Sequence, residues 1–291
     1  MVIEHKSNIF MKKITIYSLA IIGLSLVFMA ATKKNTPIVS LKNIDKTMVK
    51  VDSNLYAAIY ETTNFQYREF LNELKKEKEM KLLEIAQIDS ANWVSKNNYM
   101  EPFMDYYHTH PAYDNYPVVN ISYEAAKLYC NWLSQKYNNN PHRKFNKVLI
   151  RLPSKEEWQK AAIGTMQHAP YPWGGPYVTG NCNFHKIHQA SIHWDKEKGE
   201  YGLPKHASNM GIANNINENT TGTMLVNSFK PNSIGLYNMS GNAAEMIQEK
   251  GIACGGGWRS AGYDVQITST EKYEHSDIDL GFRYFIEIIK E

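Results

Sequence analysis

The sequence predicts an α+β fold with few helices and much irregular structure. Three segments carry the capping signals of helices, and residues 281–288 alternate apolar and polar side chains as a closing strand does. Between them, residues 164–227 are rich in Gly, Asn, Pro, His and aromatic side chains and show neither a helical nor a strand period. So long an irregular segment inside a compact domain is typical of a functional or ligand-stabilised region.

Composition predicts one large folded domain. The chain has 291 residues, of which 43% are hydrophobic and 12% aromatic, which is enough apolar material for one substantial core. Its formal net charge is only +3, from 32 basic and 29 acidic residues. This balance gives no indication of a nucleic-acid partner.

The N-terminus has the pattern of an export signal. Residues 14–31 are uncharged and apolar, and they follow Lys12 and Lys13. We therefore interpret residues 1–31 as a signal peptide or an N-terminal membrane anchor, with cleavage left open. Residues 32–50 are polar and aperiodic and are predicted to be a linker, so that the domain covers residues 51–291. The expected location is the periplasm or cell envelope, with membrane attachment through the N-terminal segment if it is not cleaved.

Each predicted helix has a recognisable start. Thr63 and Gln66 form a capping box before a run of apolar residues at helical spacing. Ser122 is predicted to cap a second helix with one apolar stripe, and Ser154 with Glu157 is predicted to open a third.

A series of motifs is spread along the chain in a fixed order. These motifs are residues 60–67, 116–122, 151–154, 171–174, 232–245, 255–260 and 280–283. In order and spacing they resemble the formylglycine-generating enzyme, or sulfatase-modifying factor, family over about residues 51–286. The resemblance implies a C-type-lectin-like fold of α+β character with much irregular structure.

The resemblance also implies that the catalytic centre of the family is degenerate here. In the copper-dependent oxidases of the family, two cysteines follow the glycine turn, because thiolates are soft ligands that hold Cu(I). This chain has Trp258, Arg259 and Ser260 in that region, and residues 258–265 contain no sulfur. A hydroxyl does not replace a thiolate on Cu(I), so no copper and no catalytic residue are predicted.

A structural calcium site is implied by the same resemblance. The matching ligands are Asn238, Gly241, Ala243 and Glu245, which would offer side-chain and main-chain oxygens. The alternative is a glycine-shaped turn in which Glu245 is simply exposed.

The three cysteines leave an odd count, so at most one disulfide can form. A bond between Cys182 and Cys254 is left open. Buried thiols are the alternative for Cys130 and Cys254.

Together these features favour an exported, non-catalytic domain with a structural or binding role. Residues 108–113, ahead of Tyr116, resemble the gliding-motility members of the family, which implies a gliding or secretion-type envelope assembly with envelope protein partners. Two alternatives remain open: a divergent metal-dependent oxidase of the formylglycine-generating type, and a lectin-like module that binds sugar or peptide.

Overall fold

A computed structural model describes residues 41–95, 98–185, 193–195, 200–202 and 222–289. The predicted signal or anchor, residues 1–31, lies outside these ranges. Among the residues that the structure describes, no helix has both the length and the apolar character needed to cross a bilayer.

The helices begin where the capping signals predict. The described helices are α1 (Asn64–Lys76), α2 (Met80–Ile85), α3 (Glu101–Tyr106), α4 (Tyr123–Asn138) and α5 (Lys155–Ile163). Thr63, Ser122 and Ser154 each accept a hydrogen bond from a main-chain N–H of the first turn, and the boxes with Gln66 and Glu157 are complete. The three helix predictions are therefore confirmed.

Within the described ranges the strands are short and form two four-stranded sheets and two two-stranded sheets. They are β1 (Met48–Lys50), β2 (Leu55–Ala58), β3 (Val94–Ser95), β4 (Asn98–Tyr99), β5 (Val148–Arg151), β6 (His193–Asp195), β7 (Glu200–Gly202), β8 (Ala244–Met246), β9 (Ile252–Cys254), β10 (Thr270–Lys272), β11 (Leu280–Phe282) and β12 (Phe285–Ile288). The first sheet has the order β1-β2-β12-β5 and the second β10-β9-β8-β11. Mixed helices and short strands of this kind confirm the predicted α+β class.

The domain begins earlier than the predicted boundary at residue 51. β1 pairs antiparallel with β2, with Met48 opposite Ala58. Ile44 is buried in the main core, and Asp45 accepts a hydrogen bond from Tyr137 Oη at 2.6 Å. Residues 41–50 are thus part of the folded domain, and the linker prediction is wrong for them. β1 has only three residues, and they do not alternate between apolar and polar side chains, so the sequence alone does not identify it as a strand.

The predicted closing strand is two strands in different sheets. β11 pairs parallel with β8, whereas β12 lies between β2 and β5 and pairs antiparallel with both. The chain passes from one sheet to the other at Arg283 and Tyr284, both of which are buried. Alternation alone does not reveal this passage, because both strands share the same period.

The main core joins α1 and α4 to the sheets through aromatic side chains. Tyr129 of α4 contacts Phe70 of α1 with ring centroids 5.6 Å apart and Phe282 of β11 at 5.4 Å. All three side chains are at most 1% exposed. A smaller cluster packs α5 against the second sheet through Trp158 and Cys254.

Candidate functional site

The residues predicted to mark a degenerate catalytic centre form one tight turn after β9, which we call the glycine turn (residues 255–260). Ser260 closes the turn, because its Oγ accepts a hydrogen bond from Gly257 N at 2.9 Å and its own N–H donates to Gly257 O at 3.0 Å. Arg259 donates to both carboxylate oxygens of Asp279, at 2.8 Å from Nε and 2.6 Å from Nη2. Both side chains therefore fix the turn itself.

An aromatic cluster covers the third predicted residue of this region, Trp258. Trp258 is 9% exposed, and its Nε1 donates to Ile278 O at 3.3 Å. It packs in a cluster that includes Trp93 and Tyr107, whose ring centroids lie 4.8 Å apart. Trp258 is therefore part of a packed core.

The three cysteines are free and buried. Cys254 is the last residue of β9 and is packed in a cluster with Trp158, and burial raises the pKa of its thiol to about 12. Cys182 lies in a different cluster with Tyr171 and Phe184. The structure thus has no bond between Cys182 and Cys254, and both side chains are packing residues.

This donor set does not fit the copper ion of the family's oxidases. The side chains of residues 258–260 are an indole, a guanidinium and a hydroxyl, and the nearest thiol in sequence, Cys254, points into the core. Cu(I) takes soft thiolate ligands, and a buried thiol whose pKa is about 12 stays protonated at neutral pH.

Replacement of Cys254 by serine should lower the free energy of unfolding by about 1–3 kcal/mol, because it buries a hydroxyl in a site without a partner. Urea unfolding monitored by tryptophan fluorescence measures this loss. Cys254→Ala is the matched control, because it also removes the sulfur but adds no polar group. A serine variant as stable as the alanine variant would show that the site is more polar than its packing indicates.

The predicted calcium ligands lie on a second turn, which we call the asparagine turn (residues 238–245). Asn238 and Asn242 have φ values of 51° and 71°, a left-handed conformation that asparagine tolerates better than most residues do. The N–H of Gly241 donates to Gly255 O at 2.9 Å, and the N–H of Trp258 donates to Asn242 O at 3.0 Å. These two bonds tie the asparagine turn to the glycine turn.

Glu245, at the end of the asparagine turn, is held by a buried ion pair. Its side chain is 1% exposed, and that of Arg283 is 0% exposed. Arg283 Nη2 donates to Oε1 at 2.8 Å, and Arg283 Nε lies 3.0 Å from Oε1 and 3.2 Å from Oε2. Trp158 Nε1 completes the arrangement by donating to Oε2 at 2.7 Å. The carboxylate is therefore fully hydrogen-bonded and sits against a positive charge.

A second buried carboxylate, Glu61, holds the beginning of the same turn. Its Oε2 accepts from Asn238 Nδ2 at 2.9 Å, and its Oε1 accepts from Asn242 Nδ2 at 2.9 Å and from Ala243 N at 3.3 Å. Burial raises the pKa of Glu61 to about 8; the Arg283 guanidinium opposes this shift and Glu245 adds to it. Two carboxylates and one guanidinium thus lie together in the interior.

The structure brings the predicted calcium ligands together but does not fit calcium at Glu245. Asn238 Oδ1 is buried and without a hydrogen-bond partner, as an oxygen waiting for a cation would be. Glu245, however, already has all its acceptor capacity directed at Arg283 and Trp158. No group of three or more His, Cys, Asp or Glu side chains able to hold a metal occurs within the described ranges. The calcium assignment therefore stays a prediction from the resemblance.

Glu61 and Arg283 are the two residues of this site to which sequence reasoning gives no role. Both residues occur inside motifs that carry the resemblance, but each is distant in sequence from the asparagine turn that it contacts. The available signal was a charged residue next to apolar ones: Glu61 follows the apolar residues 55–60, and Arg283 lies between Phe282 and Tyr284.

A cleft of about 640 Å³ opens beside the glycine turn. Arg259, Glu271, Asp277 and Asp279 contribute to its lining. Arg259 pairs with both aspartates, and burial, with Asp279 adding to it, raises the pKa of Glu271 to about 7. The cleft therefore carries charge of both signs.

Comparison with known families shows one match over most of the chain. The family model described as "Sulfatase-modifying factor enzyme 1-like domain" matches residues 32–288. The match begins before residue 51, in agreement with the early start of the folded domain.

Curated relatives include proteins named as formylglycine-generating enzymes and proteins named as inactive ones. A formylglycine-generating enzyme of Thermomonospora curvata is 33% identical over 136 residues, which covers 45% of this chain and 32% of that protein. An inactive C-alpha-formylglycine-generating enzyme 2 of Bos taurus is 26% identical over 184 residues, covering 58% of this chain and 49% of that protein. The chain thus spans between a third and a half of the length of these relatives.

Among solved structures, the crystal structure of CarF has the same fold. It superposes with a TM-score of 0.50 at 20% identity and covers 81% of this chain and 87% of that one. At this identity the likeness concerns the fold alone.

Proposed function

Because the chain belongs to the family of sulfatase-modifying factor enzyme 1-like domains, we propose that it is a non-catalytic member with a structural or binding role. The observation that carries the proposal is the chemistry of the glycine turn. Where the oxidases of the family hold copper between two cysteines, this chain has Trp258, Arg259 and Ser260. All three side chains are engaged in packing or in hydrogen bonds that fix the turn.

The burial of Trp258 supports the same proposal. A peptide oxidase must present its reactive centre at a surface that a substrate chain can reach. Here Trp93, Tyr107 and Ile278 pack around the indole of Trp258. One relative is named as an inactive enzyme, and this name is a precedent for loss of the activity within the family.

The setting that we propose is the bacterial cell envelope. The apolar residues 14–31, with lysines on both sides, support export, and the resemblance of residues 108–113 to gliding-motility members supports an assembly of envelope proteins. In this proposal the domain binds protein partners and is delivered or anchored by its N-terminal segment.

A peptide-binding module is a second candidate, which the cleft beside the glycine turn favours. Its acidic residues Glu271 and Asp277 and the guanidinium of Arg259 would select ligands by charge. A titration with labelled peptides of opposite charge separates this candidate from a purely structural role.

A peptide-oxidation assay tests the proposal directly. The purified protein, incubated with Cu(I), oxygen and a cysteine-containing sulfatase-type peptide, is expected to yield no formylglycine by mass spectrometry. It is also expected to retain no stoichiometric copper after gel filtration. The formylglycine-generating enzyme of Thermomonospora curvata serves as the positive control. Turnover of the peptide would establish the divergent oxidase instead, and one copper per chain would contradict the chemistry assigned to the glycine turn.

A further inference from the structure

We propose that the asparagine turn is held in place by the buried residues Arg283 and Glu61, in the position where the family resemblance predicts a calcium ion. The proposal concerns how the fold is stabilised and does not depend on whether the protein is catalytic. It assigns to two side chains the role that a divalent cation would otherwise have.

The first step of the argument is the charge at Glu245. A calcium ligand supplies negative charge to the ion, but the Glu245 carboxylate already faces a guanidinium with Nη2 at 2.8 Å. A doubly charged ion at this carboxylate would lie next to Arg283 in a site with almost no solvent, where repulsion between like charges is strongest. Calcium and Arg283 therefore compete for the same carboxylate.

Arg283 is not free to move away and leave the carboxylate to an ion. Its Nη1 donates to Ala58 O at 2.9 Å and to Ile59 O at 2.7 Å, and its Nη2 donates to Tyr237 O at 2.6 Å. Departure of Arg283 would remove the guanidinium donor from the buried carbonyl of Ala58 and from the partly buried carbonyls of Ile59 and Tyr237. Ile59 O would keep its bond from Tyr237 N at 3.0 Å, but the other two bonds would be lost at a cost in stability. The guanidinium thus joins the end of β2, the start of the asparagine turn and β8.

Glu61 supports the turn from its other end through hydrogen bonds. Asn238 Nδ2 and Ala243 N donate to the Glu61 carboxyl group, at 2.9 and 3.3 Å. These bonds tie residues 238–243 to Glu61.

Chelation of the native protein tests the proposal. The purified full chain is treated with EGTA, and its melting temperature is measured in EGTA and in millimolar calcium chloride. We expect the same melting temperature in both and less than about one tenth of a calcium per chain by elemental analysis. One calcium per chain, or a melting temperature that EGTA lowers and calcium restores, would overturn the proposal.

Two arginine variants test the part assigned to Arg283. Arg283→Met is expected to lower the melting temperature far more than Arg151→Met, in EGTA and in calcium alike. Arg151 is the matched control, because it also pairs with two carboxylates, those of Glu157 and Glu287, but at a partly exposed site. Equal losses in the two variants would show that Arg283 does not hold the turn. If Arg283→Met does not fold, the chelation experiment on the native protein still tests the proposal.

Discussion

Replacing Gly241 by alanine is expected to lower the free energy of unfolding by about 3–5 kcal/mol, whereas the same change at Gly180 should cost about 1–2 kcal/mol. Both glycines have a positive φ, 71° at Gly241 and 81° at Gly180, so the strain on the backbone is similar. The space around the two glycines differs. An added Cβ at Gly241 would lie 2.3 Å from Asn183 O, and one at Gly180 would meet nothing within 4 Å.

Asn183, whose carbonyl oxygen would lie nearest to the added Cβ at Gly241, cannot move without a large cost in free energy. Asn183 O accepts a hydrogen bond from Asn242 N at 2.8 Å, and the Asn183 side chain donates to Gly222 O at 3.0 Å. Relief of the clash would therefore break bonds that hold the asparagine turn. Urea unfolding of both variants at one pH measures the difference between them. Equal losses at the two positions would mean that the segment around Asn183 moves freely, against the packing described above.

Removal of residues 41–50 is the second change with a large expected effect. A protein that starts at residue 51 should be less stable than one that starts at residue 41 by at least about 3 kcal/mol, from the burial of Ile44 and the lost hydrogen bonds. β1 forms the edge of the first sheet, and Thr47 O accepts a hydrogen bond from Ile59 N at 3.0 Å. Thermal and urea unfolding of the two proteins provide the measurement.

A point variant separates the lost packing from a general effect of shortening. Ile44→Ala in the protein that starts at residue 41 should account for part of the loss, about 2–4 kcal/mol. Equal stability of the two shortened proteins would restore the earlier interpretation of residues 41–50 as a linker.

Sequence reasoning succeeded where the signal is local. A capping box depends on two residues three positions apart, so Thr63 with Gln66 and Ser154 with Glu157 were sufficient to place the starts of α1 and α5. The asparagine turn and the glycine turn were found through the resemblance, whose motifs are also short.

The parts that sequence reasoning missed depend on distant contacts. Arg283 and Glu245 are joined only after β11 and β8 pair, and Glu61 reaches Asn242 from the other end of the chain. The split of the closing segment into β11 and β12 depends on which sheet each strand joins. A short β1 is recognisable only once β2 is present beside it, because an edge strand of three residues has little pattern of its own.

The place of β12 has a consequence for the order of events during synthesis. β12 is an interior strand, with Phe285 opposite both Ala57 of β2 and Arg151 of β5. The first sheet therefore cannot close until residues 285–288 have left the ribosome, and Arg283 reaches Glu245 no earlier. During translation β2 and β5 lack the strand that lies between them, so the strand edges that face β12 are unpaired. β5, which ends at Arg151, therefore remains without this partner while residues 152–284 are synthesised.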